Sequence, residues 1–299
     1  MAHSISPELR KKMLSVAVAA ETDFSAGLDV TALAEHAEMS EKHFQRCFRA
    51  VCGEPPKRYL RRIRLQAAAY LLRWSDTPVT QIGVDVGFGT ATGFTKAFTK
   101  VYGHSPQAFR ARQDVVPYLW RAELRRAGSM DLYRAQQLSV RLESVPTRRI
   151  AFRRYVGSVE GMAGVWTAFG GWLKREGLLH EQAVLLGIYH DYWDQEAEGR
   201  YRYDAAVVVP DDFVAGAEVN TRVLPGATVA MTEFEGSLEE ADRAWRQLVD
   251  LWLPASGYRL AASYAYDRYP PQLMGGGILS RIQLTLRGIR ATLCLPVCR

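Results

Sequence analysis

The sequence predicts a multidomain chain, all-α in its first part and α+β in its second. Three observations across its 299 residues predict this. One segment recurs at an offset of 50 in the first part, with helical spacing of its apolar residues. Another recurs at an offset of 79 in the second part, with strand-like runs on either side of a helix. The charge also divides: residues 1–113 carry 16 Lys+Arg against 10 Asp+Glu, whereas residues 143–299 carry 17 against 19. The boundaries read from these changes are 1–112 for the all-α domain, 113–137 for a linker and 138–299 for the second domain.

In the first part, MSEKHFQRCFRAVCGEPPKRYLR (39–61) aligns with GTATGFTKAFTKVYGHSPQAFR (89–110). Phe44 matches Phe94, Phe48 matches Phe98, Gly53 matches Gly103, Pro56 matches Pro106, and Tyr59 matches Phe109. Aromatic residues four apart lie on one face of a helix. Ser40 and Thr90 stand at N-cap positions, Gly53 and Gly103 at C-cap positions. A short apolar-periodic helix precedes each unit, at 30–37 and 79–86. The pattern is therefore helix, turn, helix, written twice. Such a second helix can enter the major groove, where base edges carry a distinct donor and acceptor pattern. Between the units, PKRYLRRIRLQAAAYLLRW (56–74) has no internal Gly or Pro and predicts a rigid spacer helix. Its Arg61, Arg62 and Arg64 suit either phosphate contact or simple solvation of the helix.

Residues 113–137 break periodicity at Pro117 and at Gly128 and read as a partly helical linker. Beyond them, YVGSVEGMAGVW (155–166) returns as FEGSLEEADRAW (234–245). Each copy follows two strand-like runs, split at Pro146 and Thr147 in the first and at Pro225 and Gly226 in the second. Ser158 and Ser237 are the expected N-caps, with Glu160 and Glu239 in the first turn. Trp166 and Trp245 fall on the inward side and read as core. Two further strands follow each helix: LLGIYHDYW (185–193) and YDAAVVVP (203–210), then ASYAYDRY (262–269) and RATLCLPV (290–297). The unit is β-α-β-β, duplicated. The Gly/Leu-rich stretch 270–289 fits neither copy and reads as a lid or a divergent loop.

Several classes are disfavoured. The apolar runs are far too short to span a bilayer, so no membrane partner is expected. The N-terminus has no apolar stretch behind its charges, so a cytoplasmic location is expected. The four cysteines and six histidines show no metal-ligand spacing, so reduced thiols and no cofactor are expected. No nucleophile–base–orienter set is visible either, and the chain reads as a non-enzyme.

The pair of units, SxxHFQRxFRxxxGxxPxxYLRxxRLxxAxxLL followed by IxxxVGFxxxxxFTKAFxxxxGxSPxxFR, resembles the DNA-binding domain of AraC/XylS-family transcription regulators over about residues 8–112. The resemblance implies double-stranded DNA as a partner, and RNA polymerase with it. It implies base-reading roles for Lys42, Gln45 and Arg46 on the first recognition helix, with Glu41 and Arg49 flanking. On the second helix the matching residues are Thr92, Thr95 and Lys96. Long Arg, Lys and Gln side chains suit contacts to G and A, so the first helix is expected to discriminate more.

From about 138 to 269, and again at 291–297, the second part resembles the GyrI-like small-molecule-binding domain that follows such DNA-binding domains in many bacterial regulators. That resemblance implies a pseudo-twofold pair of β-α-β-β units with a ligand cleft between them. It also implies multidrug-like effectors, lipophilic and often cationic, held by aromatic faces and a buried carboxylate. The matching residues are Tyr189, Trp193, Tyr264, Tyr266, Asp267 and Tyr269. Asp267 stands where many relatives have Glu, one methylene longer. Two other readings stay open: a hydrolase using Glu233, Glu235 and Asp267 as acid or base, and a drug-sequestering module. Monomer and homodimer are both compatible with two readers in one chain.

Overall fold

A computed structural model describes residues 5–24, 27–111, 138–158, 161–190, 201–261, 263–271 and 289–299. The expected linker at 113–137 and nearly all of 270–289 lie outside the described residues, as does Trp193. The chain divides into two compact units, residues 1–117 and 118–299. Among the described residues, no helix is long and apolar enough to cross a membrane.

The first unit is helical: α1 (Pro7–Thr22), α2 (Val30–His36), α3 (Glu41–Cys52), α4 (Pro56–Trp74), α5 (Val79–Asp85), α6 (Ala91–Tyr102) and α7 (Pro106–Ala111). The bounds of α3 and α6 are displaced by 50 at both ends, as the sequence repeat requires. Each helix ends at a glycine in the left-handed region, Gly53 with φ 81° and Gly103 with φ 71°. A side chain would strain both turns. Thr90 caps α6 by accepting from the Gly93 N–H at 3.0 Å. Ser40 occupies the same position before α3 and makes no capping bond.

Aromatic stacking fixes each pair of helices. Phe48 meets Tyr59 edge-on at 5.2 Å and 82°, and Phe98 meets Phe109 at 5.2 Å and 81°. Phe44, Phe48, Phe94 and Phe98 are buried, each contributing about 2 kcal/mol of burial. Two arginines clamp the loops that enter the helix-turn-helix units. Arg64 donates to the carbonyls of Phe24 and Leu28 at 2.9 and 2.7 Å. Arg110 donates to those of Leu72 and Thr77 at 3.2 and 2.6 Å.

The second unit is one antiparallel sheet with helices on one face. Its strands are β1 (Arg141–Val145), β2 (Arg148–Gly157), β3 (Leu185–Tyr189), β4 (Tyr201–Val209), β5 (Asn220–Leu224), β6 (Ala227–Gly236), β7 (Arg259–Leu260), β8 (Tyr266–Tyr269) and β9 (Ile289–Cys298). The order is β1-β6-β9-β8-β3-β4-β2-β5, with the short β7 on β9. This order is palindromic. The β3–β8 pair lies at the centre, and the two copies exchange their first strands: β1 pairs with β6, and β5 with β2.

The exchange makes the two inter-strand turns cross. Gly226 N–H donates to Thr147 Oγ1 at 3.0 Å, and a Cβ on Gly226 would lie 2.8 Å from the Thr147 backbone nitrogen. Only glycine fits there. Gly226→Val is expected to destabilise this unit by about 2 kcal/mol through overpacking, read by thermal denaturation.

Helix α8 (Met162–Arg175) packs Trp166, Phe169, Trp172 and Leu173 against Ala151, Leu185, Tyr203, Ala205 and Val207 of the sheet. Helix α9 (Leu238–Arg246) continues through a π-helical turn (Gln247–Trp252) into α10 (Leu253–Ser256). The copies differ where the helices start. Ser237 caps α9 in a full capping box with Glu240, but Ser158 does not cap α8, whose N-cap is Gly161. The residue at the Glu240 position in the first copy is Gly161, which offers no carboxylate to close the box and favours helix poorly. The helix therefore begins later than its sequence suggests.

Candidate nucleic-acid interface and effector site

On α3, Phe44, Cys47, Phe48, Val51 and Cys52 form the buried stripe. Lys42, Gln45, Arg46 and Arg49 are all exposed. On α6 the buried positions are Phe94, Ala97, Phe98 and Tyr102, and Thr92, Thr95 and Lys96 are exposed. From 41 to 50 and from 91 to 100 the buried and exposed positions alternate identically. Both helices thus offer the same outward face, rich in long cationic and amide groups on α3 and in threonines on α6.

The structure separates the three spacer arginines. Arg64 is committed to carbonyls, as above. Arg62 donates to Glu54 at 2.9 Å through Nε and lies over the Tyr59 ring at 5.1 Å. Arg61 is exposed, which leaves it the one of the three whose position suits a phosphate. The flanking Glu41 engages two neighbours, one at the i,i+4 spacing and one from α2. Gln45 Nε2 donates to Glu41 Oε1 at 2.8 Å, and Thr31 Oγ1 donates to Glu41 Oε2 at 3.3 Å.

In the second unit, Asp267 sits on the central strand β8, facing the helices. Its Oδ2 accepts from the Tyr189 and Tyr269 hydroxyls at 2.5 and 2.9 Å. Its Oδ1 accepts from the Trp245 indole at 3.1 Å. A second indole, Trp166, donates to the Tyr203 hydroxyl at 2.9 Å, and Tyr203 lies 3.5 Å from the Tyr269 hydroxyl. The rings pack edge-on: Trp166 with Tyr269 at 5.2 Å, and Tyr189 with Tyr203 at 5.2 Å. Each copy supplies one inward tryptophan: Trp245 donates to the carboxylate, and Trp166 to the Tyr203 hydroxyl beside it.

Burial governs the protonation of this cluster. Loss of water raises the Asp267 pKa to about 6, although the Tyr189, Tyr269 and Trp245 hydrogen bonds pull it down. Burial, with the Asp267 charge next, holds the Tyr189, Tyr203 and Tyr269 hydroxyls above the ordinary phenol range. They remain protonated donors at neutral pH. Tyr189 and Tyr269 are half-buried and Asp267 is buried, so the tyrosines form the accessible surface over the carboxylate.

Other expected residues stand elsewhere. Successive strand residues face opposite sides, so Tyr266 points away from Asp267, toward Cys294, its register partner on β9. Tyr264 packs against His190 at 4.8 Å and under the Arg222 guanidinium at 4.4 Å. Glu233 pairs with Arg141, and Glu235 with Arg290, each at 2.8 Å and in exposed positions. Both carboxylates alternate onto the face away from Asp267. Trp166 and Trp245 are buried, as core residues are, yet both indoles bond into the tyrosine–aspartate cluster. Tyr203 also belongs to the cluster and was not expected there.

On the opposite face lies a buried charged group. Arg154 grips Asp204 with Nε–Oδ1 at 2.8 Å and Nη2–Oδ2 at 2.9 Å. His190 Nε2 lies 2.7 Å from Asp204 Oδ2. Burial alone would raise the Asp204 pKa, but the Arg154 and His190 charges and hydrogen bonds outweigh it and hold the carboxyl well below the usual range. Among the described residues, no group of three or more His, Cys, Asp or Glu could hold a metal ion.

Comparison with known proteins places both units. Residues 33–112 match the helix-turn-helix domain family, and residues 138–274 match the GyrI-like small molecule binding domain family. An HTH-type transcriptional regulator of Haemophilus influenzae is 41% identical over 78 residues, 26% of this chain and 26% of that protein. The HTH-type transcriptional activator RhaS of Salmonella arizonae is 35% identical over 97 residues, 32% of this chain and 35% of its own length. The DNA-binding domain of AdpA, solved in complex with a target DNA, is 32% identical, covering 34% of this chain and 91% of that domain at a TM-score of 0.33. The chain spans about a quarter to a third of the length of these two curated relatives.

Proposed function

We infer, from a chain that joins an AraC-type helix-turn-helix domain to a GyrI-like domain, that it is a transcription regulator that binds DNA through one unit and a small effector through the other. The repeated outward face of α3 and α6 carries this reading. Two helices with one burial pattern and cationic or hydroxyl side chains suit adjacent turns of a duplex. Lys42, Gln45, Arg46 and Arg49, with Thr92, Thr95 and Lys96, are the groups proposed to touch it. Residues 113–137 are proposed to join the two domains. A regulator of this kind works in the cytoplasm, with RNA polymerase as its further partner.

The effector proposed is a lipophilic cation held against Tyr189 and Tyr269, with Tyr203 buried beneath them. Aromatic faces bind cations with about 0.5–2 kcal/mol each. Asp267 supplies the charge from beneath, through the tyrosine hydroxyls. The departure from Glu matters here: the shorter carboxylate is already bonded by three donors, so the ligand meets rings first. For the effector to regulate, it must bind one DNA-competence state better than another. Tetraphenylphosphonium as a probe is expected to raise the melting temperature of the full chain and to change its DNA affinity. A probe that stabilises the chain while leaving DNA binding unchanged would favour the sequestering module instead. The orientation of Glu233 and Glu235 away from Asp267 weighs against the hydrolase reading.

The Asp267 pKa sets the pH dependence. At pH 5 the carboxyl is mostly neutral, and at pH 7 mostly ionised. Affinity for the cation is therefore expected to rise about tenfold from pH 5 to pH 7, measured by calorimetry at both values. Asp267→Asn should remove that rise.

A further inference from the structure

We infer that Glu41 is a positioning residue which turns Gln45 into a reader of bases that carry an exocyclic amine. The inference rests on the proposal that α3 reads DNA. Glu41 occupies the first position of α3, and both its carboxylate oxygens are engaged: one by Thr31 of α2, the other by the Gln45 amide. A carboxylate only accepts, so the Gln45 group facing it is the amide nitrogen. The bond joins residues i and i+4 on the outward side of the helix, where such pairs meet.

A free glutamine reads adenine with two bonds, nitrogen to N7 and oxygen from N6. Once its nitrogen is drawn back to the first turn, Gln45 offers chiefly its carbonyl oxygen. An acceptor suits the N6 amine of adenine and the N4 amine of cytosine, and it opposes the O6 of guanine and the O4 of thymine. The Glu41 carboxylate beside it acts in the same sense. Thr31 ties the arrangement to α2, so the two helices of the unit hold Gln45 together.

The second unit provides an internal contrast. Ala91 stands at the place of Glu41 and Thr95 at that of Gln45, fifty residues on. No tether can form there. The discrimination expected of α3 over α6 thus has a physical cause beyond side-chain length: one helix presents a fixed amide and the other a small rotor.

The test selects duplexes from a randomised library with the full chain. Wild type is expected to favour A or C over G or T by about tenfold at one position of the α3 half-site. Glu41→Gln can still accept from Gln45 and should keep that preference. Glu41→Ala frees the amide to read adenine with two bonds, so it should keep A but lose the selection of C over G or T, to less than about twofold, whereas Gln45→Ala should lose both. Glu41 is exposed, and melting curves of all variants verify the fold. The proposal is overturned if Glu41→Ala keeps the wild-type preference, or if Glu41→Gln loses it as fully as the alanine variant. A wild-type chain that selects no sequence at all would overturn both this proposal and the DNA-reading proposal beneath it. Selection by wild type that is unchanged in Glu41→Ala would overturn this one alone.

Discussion

Replacing Arg154 by leucine is expected to destabilise the second unit by about 3–5 kcal/mol, because it leaves the Asp204 charge buried with its main partner gone. Both side chains are all but inaccessible, at 1% and 0% exposure. Domains of this size have only about 5–15 kcal/mol in total, so the variant should be marginal at 37 °C. Urea denaturation of the two proteins side by side measures the loss. Removing the charge at both ends, with Asp204→Leu added to Arg154→Leu, should recover most of it. A buried pair replaced by apolar groups is often neutral in net effect. Arg222 would then lack a carboxylate 3.8 Å away, but it keeps its place over the Tyr264 ring. The pH dependence follows from the depressed Asp204 pKa. Its contribution is present above the ordinary carboxylate range and is lost as pH falls through the lower, folded-state value.

This group shows where the sequence stops being legible. Arg154 and Asp204 are fifty residues apart and become register partners only through the β2–β4 pairing. In the sequence Arg154 is one of four arginines in RRIAFRRYVG, and Asp204 opens the apolar run AAVVV two residues after Arg202, so nothing local marks the two as partners. The strand exchange was equally hidden: Pro146 and Pro225 mark the splits, but nothing local says that β1 will leave its own copy for β6. What duplication makes legible is different. A segment written twice reveals its own element bounds, as with α3 and α6, and its own inward residues, as with Trp166 and Trp245. Strand alternation could also have sorted the tyrosines. Asp267 and Tyr269 are two apart and share a face, whereas Tyr266 cannot. Tyr203 was overlooked because YDAAVVV reads as uniform core.

The second large effect concerns DNA. Arg46→Ala combined with Lys96→Ala removes one exposed cation from each outward helix face. The double variant is expected to bind a selected duplex about 100-fold more weakly than wild type. Its log affinity should also fall less steeply with log salt, by about two in slope. Arg62→Ala is the matched control. That guanidinium is engaged by Glu54 and lies over Tyr59, so its loss should change affinity by less than about threefold. Polarisation titrations across a salt series check all three.

A single titration bears most directly on the whole account. The full chain is mixed with the duplex it selects and with a shuffled duplex of equal composition, from 50 to 200 mM salt. At least about 100-fold preference for the selected duplex, with affinity for both falling steeply as salt rises, is the predicted result. Equal affinity for the two duplexes would contradict it.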